Sequence, residues 1–217
     1  MNLTPDQERV LIERLRRGDG RAFNELVRQH QSTVYTLVLR LLSNRREDAL
    51  DVSQEVFVTV FRAIADFRGD SRLSTWIHRI AVNHCRNRNK YLGRRQERRH
   101  DAFEDKHEGS SALGAGVVSP LRGEMPGPEQ VYEGNEAERF VAAALDSLHP
   151  EHREIVVLRE LEGLPYEEIV EITGLKIGTV KSRLFRGRAA LESAYLAFRE
   201  GKRPSRDTSE KPKDEGR

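Results

Sequence analysis

The sequence predicts an all-α protein built as two small helical domains. Three observations carry this: apolar residues recur at spacings of three and four in both halves, no stretch alternates apolar with polar residues as a half-buried strand would, and proline is absent from Asp6 to Ser119. With 37% apolar and 33% charged residues in 217, the chain has material for two modest cores rather than one large one.

Thr4, Pro5 and Gln7 supply an N-cap, a first-turn proline and a capping-box partner, and Gly18 marks the stop of a short first helix. From Arg21 to Leu42, Phe23, Leu26, Val27, Val34, Leu37, Val38 and Leu41 form the apolar face of a long second helix, closed by Ser43-Asn44. A third helix, Arg46 to Phe67, buries Ala49, Val52, Val56, Phe57, Val60 and Ile64 before Gly69-Asp70. A fourth runs from about Ser74 to Leu92. These four helices make an N-terminal bundle, residues 1–92.

Periodicity then fails, and ten glycines and prolines, among them Gly109, Gly114, Pro120, Pro126 and Pro128, read as a flexible linker over 93–137. A second domain, 138–200, centres on a helix-turn-helix pattern. Tyr166 to Thr173 forms its first helix with Ile169 and Ile172 inward, Gly174 takes the positive backbone angle of the turn, and Ile177 to Leu196 resumes with Val180 and Leu184 inward. Residues 201–217 hold charges and prolines without apolar residues and are expected to be disordered.

The formal net charge is only +2, yet between Arg72 and Arg99 nine cations face a single acid, Glu97. Such clustering points to a polyanionic partner and to steep salt dependence, against the alternative of a merely solvated basic face. Cys85 is the only cysteine, so no internal disulfide forms, and His78, His84 and Cys85 lack the spacing of a tetrahedral metal set. No paired carboxylates, activated nucleophile or phosphate-binding glycine loop stands out; neither enzymatic activity, metal nor cofactor is expected. The N-terminus has Asp6, Glu8 and Arg9 where a leader needs apolar residues, and Arg40 interrupts VYTLVLRLL, so a cytoplasmic protein without membrane insertion is expected.

The segments FNELVRQHQSTVYTLVLRLL and REDALDVSQEVFVTVFRAIADFRGDSRLSTWIHRIAVNHCRN, followed by LDSLHPEHREIVVLRELEGLPYEEIVEITGLKIGTVKSRLFRGRAAL, resemble in order and separation the extracytoplasmic-function (ECF) sigma factors of bacterial RNA polymerase. The resemblance covers both folded halves. It implies a promoter-reading subunit that binds core polymerase, through the clamp helices of the largest subunit and the flap of the second-largest, melts the upstream edge of the bubble and leaves. It also implies an anti-sigma partner, a stress or envelope response, and association with the nucleoid when bound to polymerase.

Residue by residue, the resemblance places core-polymerase binding on the acidic stripe Asp48, Asp51, Gln54 and Glu55. It assigns the minus-ten element to the loop residues Asp70, Ser71, Arg72, Ser74, Thr75 and Trp76 and to the helical face Arg79, Asn83, Arg86 and Asn87. An extruded base needs a polar pocket and a support for the gap it leaves, which these residue types supply. Trp76 either braces such a base or anchors the core, and Ser74 either lines the pocket or caps its helix. The minus-thirty-five element falls to Gly178, Thr179, Lys181, Ser182, Arg183, Phe185, Arg186 and Arg188, a helical face in which cations can bond guanine and a ring can meet a thymine methyl. Two departures from the family pattern stand out: Val170 where alanine is common, and Pro165 in place of a capping serine or threonine. The alternative is a stand-alone helix-turn-helix regulator, which would explain only the C-terminal half.

Overall fold

The computed structural model describes residues 4–101 and 136–200; the predicted tail and all but the ends of the predicted linker lie outside the described residues. The described residues form helices α1 (Pro5–Arg16), α2 (Gly20–Leu41), α3 (Arg46–Ala63), α4 (Leu73–Asp101), α5 (Glu136–Ser147), α6 (Pro150–Val156), α7 (Tyr166–Thr173) and α8 (Ile177–Arg199), with no strand among them.

Local chemistry sets most of the boundaries. Thr4 Oγ1 accepts the Gln7 N–H at 3.3 Å while Gln7 Oε1 accepts the Thr4 N–H at 3.0 Å, which completes the capping box of α1. Gly18 takes φ +76°, and Asp19 then caps α2 by accepting from the Arg21 and Ala22 amides. The α2–α3 turn is left-handed at Ser43 and Asn44, with φ of 57° and 53°, and the Asn44 N–H closes it on the Leu39 carbonyl at 2.9 Å. The third helix stops at Ala63 and tightens into one 3₁₀ turn, Ile64–Asp66, which drops Phe67 into the core.

The fourth helix departs from expectation at both ends. Its first helical bond runs from the Trp76 N–H to the Arg72 carbonyl, so Ser74 lies inside the first turn and is not the cap. Glu8, from α1, does part of that work: its Oε1 accepts the Leu73 N–H at 2.6 Å. At the other end α4 passes Leu92 and continues to Asp101, because Gly93 is tolerated inside a helix rich in arginine, glutamine and glutamate. The expected linker therefore loses its first residues to α4, and α5 begins at Glu136 rather than after residue 137.

In the C-terminal half, α6 runs into a single wide π turn, Val157–Leu161, closed by the Glu162 N–H on the Val157 carbonyl at 3.0 Å. Arg153 is buried there at 4% exposure, with no carboxylate among the described residues at hydrogen-bond distance. Its guanidinium instead donates to the carbonyls of Leu145, Asp146 and Leu148, a cationic plug on the C-terminal end of α5. Gly187 lets α8 close on α6, since a Cβ at that position would stand 2.5 Å from Val156 Cγ2. Pro165 presets the entry to α7 without a side-chain cap, as its residue type dictates, and Gly174 at φ +68° ends that helix. Val170 is accommodated half-buried against the core.

The two halves are not independent beads. One apolar cluster runs from Leu26, Leu37, Val56 and Phe57 through Ile77 and Val82 to Ile155, Leu158, Ile169 and Val180. The main seam lies between α4 and α7.

Candidate nucleic-acid interface

Three surfaces carry the residues singled out from the sequence. On α3, Asp51 and Gln54 are exposed, whereas Asp48 and Glu55 are engaged from α4: Arg88 reaches Asp48 at 2.9 Å and Glu55 at 3.4 Å, and His84 approaches Glu55 at 3.3 Å. The acidic stripe is thus half neutralised by its own bundle, and Asp51 with Gln54 forms its open part.

The second surface is the loop before α4 and the outward face of that helix. Asp70, Arg72, Arg79, Asn83 and Asn87 are exposed, Ser71 and Ser74 half-exposed. Trp76 packs its ring on Phe67, centroids 5.0 Å apart and tilted by 42°, and belongs to the rim of the core. Two expected members are placed differently. Thr75 is 2% exposed and its hydroxyl donates to Glu168 of α7 at 2.9 Å, because the seam with α7 covers the first turn of α4. Arg86 spends its whole guanidinium on the C-terminal half: Nε and Nη2 donate to Glu154 at 2.8 and 2.7 Å, and both Nη atoms donate to the Thr173 carbonyl at 3.1 Å.

The third surface is α8. Lys181, Ser182, Phe185 and Arg186 point to solvent, with Phe185 74% exposed, while Val180 and Leu184 turn inward. Gly178 is exposed and Thr179 half-exposed in the first turn. Arg183 and Arg188 share this helix but are tied within their own domain, to Glu151 at 2.7 Å and Glu160 at 2.6 Å.

Burial governs the titratable groups nearby. His78, on α4 against the seam, is 7% exposed with Nδ1 unpartnered; burial, then the neighbouring His30, depress its pKa to about 4 against the opposing pull of Glu168. His30 is lowered by burial as well. Burial, with Glu154 adding to it, pushes the Cys85 thiol up, so it has no thiolate character. No group of three or more histidine, cysteine or acidic side chains is arranged to hold a metal among the described residues.

Glu154, Glu168 and Glu8 emerge only from the structure. Glu154 lies 68 residues from Arg86 and Glu168 lies 93 residues from Thr75, so no local spacing announces either pair.

A helical bundle with a basic fourth helix, followed by a helix-turn-helix domain with an open cationic face, is the layout of a sigma-70-type factor. Residues 26–99 match the family Sigma-70 region 2, and residues 141–191 match Sigma-70, region 4. The chain is 38% identical to RNA polymerase sigma-H factor of Pseudomonas aeruginosa over 194 residues, covering 88% of this chain and 95% of that protein. It is also 38% identical to ECF RNA polymerase sigma-E factor of Escherichia coli K12 over 186 residues, 86% and 93% of the two. The chain belongs to the ECF sigma factors, non-catalytic initiation factors of bacterial RNA polymerase. The stand-alone regulator is not favoured, because region 2 accounts for the half it leaves unexplained. Among solved structures, CnrH in complex with the cytosolic domain of CnrY shares the fold, with a TM-score of 0.56 and 24% identity over 88% of this chain and 97% of that one. The sigma factor RpoE of Bartonella quintana, in complex with the anti-sigma factor NepR, does so at 0.53 and 22%, over 78% and 94%. Among the described residues no helix is long and apolar enough to cross a membrane.

Proposed function

We propose that this sigma factor docks on core RNA polymerase through α3, with Asp51 and Gln54 as the accessible contacts and Asp48 and Glu55 beside them. It reads the minus-ten element with the loop Asp70 to Trp76 and the α4 face Arg79, Asn83, Arg86 and Asn87, and the minus-thirty-five element with Lys181, Ser182, Phe185 and Arg186. Gly178, Thr179, Arg183 and Arg188 flank that reading face. Anti-sigma control and a cytoplasmic site of action, at the nucleoid when bound to polymerase, complete the reading; the protein itself catalyses no reaction.

The observation that carries this proposal is the face of α8: directly after the Gly174 turn, two cations, a hydroxyl and a 74%-exposed phenylalanine project together from a helix whose opposite side is buried. The major groove offers such a ring a thymine methyl while the cations meet guanine or phosphate. On α4, Asn83 is suited to a base edge and Arg79 to phosphate.

The test is run-off transcription from a library of bacterial promoter fragments, with purified core polymerase in the presence and absence of the protein. Transcript starts that require the protein and share two upstream elements are expected. Binding to DNA without any protein-dependent start, and without binding to core, would overturn the assignment of these surfaces.

A further inference from the structure

We propose that α1 is a splint for the minus-ten loop: Arg16 and Glu8 hold the two ends of that loop, and through this grip they set which base it accepts without touching DNA themselves. This rests on the reading of Asp70 to Trp76 as the loop that meets the minus-ten element. Arg16, in the last turn of α1, donates from Nη2 to the Phe67 carbonyl. Glu8, in the first turn, accepts the Leu73 N–H at 2.6 Å. Phe67 and Leu73 are buried, and between them Arg68, Gly69, Asp70 and Arg72 are exposed and Ser71 half-exposed.

The span between those anchors has no scaffold of its own. Arg68, Gly69, Asp70 and Ser71 have no hydrogen-bond partner among the described residues. Gly69 bends the chain at φ +80°, at a point where an added Cβ would meet nothing within 4 Å. The path of Asp70 and Ser71 is therefore fixed by where the loop starts and where it ends, and α1 holds both places.

The first helix is built to hold still while it does so. Leu11 and Leu15 are buried in the core, and Arg14 donates to Asp19 at 3.0 Å and to Glu25 of α2 at 3.1 Å. The helix also lies against the 3₁₀ turn Ile64–Asp66 that leads into Phe67. Glu8 and Arg16 stand about 12 Å apart along the helix at 1.5 Å per residue, so neither grip substitutes for the other. An extruded base is told from its competitors by hydrogen bonds to its edge, and these weaken steeply once donor and acceptor fall out of line. A support that slackens at one end thus costs the loop its selectivity before it costs the bundle its fold. A contact that only stabilised the bundle would instead weaken docking through α3 and minus-ten reading together.

The test uses holoenzyme assembled from purified core polymerase and the full chain, on a promoter found by run-off transcription and then randomised over both elements. Sequencing the transcripts gives the base preference at each position. Glu8→Ala with Arg16→Ala is expected to lower the preference at one or two adjacent minus-ten positions about tenfold, with minus-thirty-five preferences at the parent's values. Glu8→Gln, which keeps an acceptor oxygen for the Leu73 amide, is expected to keep the parent's profile. A loss of yield spread evenly over all promoters, or an unaltered profile with alanine at both sites, overturns the splint. Hydrogen exchange on each single alanine variant covers the case in which the pair does not fold. Faster exchange over residues 68–73 with α2 and α3 protected as in the parent is expected; loosening of the whole bundle, or none in the loop, overturns the proposal. Asp70→Ala with Ser71→Ala in the parent chain separates the two ideas. If that change alters no minus-ten preference, the reading of the loop itself fails; if it alters one while the α1 variants do not, only the splint fails.

Discussion

His78 shows how one buried ring couples stability to pH. Its folded pKa is about 4 while an unfolded histidine titrates near 6.5, so between those values the unfolded chain binds the extra proton. Stability therefore falls as pH drops from 6.5 toward 4 and this contribution flattens below, with a slope of at most about 1.4 kcal/mol per pH unit. Urea denaturation at a series of pH values should show the parent losing more stability than His78→Leu across that window; parallel curves would mean that the ring is not buried neutral. At Gly187 the limit is space. Alanine there gains roughly 1 kcal/mol of helix propensity, but its Cβ would meet Val156 Cγ2 at 2.5 Å. Overpacking of that kind costs about 1–3 kcal/mol, so Gly187→Ala is expected to lower the urea midpoint, and Val156→Ala in the same chain to recover part of the loss. A midpoint at or above the parent's would show that α6 and α8 slide apart freely. No sequence pattern marks Gly187 as a contact; it stands in a run that reads simply as cationic helix.

Among the elements, α8 was the most legible, because glycine, inward valine and leucine, and outward cations all follow from one helical period. Arg186→Ala should relax selection at a single base pair, read by sequencing the duplexes selected from a random library; a uniform loss over all sequences would make Arg186 a phosphate contact instead. The α4 element was legible in its middle and misjudged at both ends. Its start depends on Glu8, an acid 65 residues distant, and its end on the tolerance of one glycine within a charged run. The acidic stripe of α3 was visible as a spacing, but the partial neutralisation of Asp48 and Glu55 by Arg88 and His84 depends on how α3 packs against α4.

For the whole molecule, the sequence supports two helical domains, and the structure joins them through a seam that periodicity cannot reveal. Apolar faces were countable; which face meets which was not, since Ile77, Leu158 and Ile169 satisfy the same pattern whether they pack within a half or across it. Function at this scale is docking onto polymerase, and it should report on Asp51. Charge reversal by Asp51→Arg changes an exposed residue on the outer face of the bundle, so the fold should persist while core affinity falls about tenfold or more in a binding titration. Unchanged affinity would move the docking surface away from the open part of α3.

The carboxylate of Glu8 at the start of α4 has a consequence for selectivity. Backbone amides at a helix start ordinarily attract anions, and here one of them, Leu73 N–H, is already taken at 2.6 Å by a fixed negative charge. That amide is therefore not free to receive a phosphate oxygen. On the proposed minus-ten reading, the strand's phosphates are then left to exposed arginines such as Arg72 and Arg79 rather than to the first amide of α4.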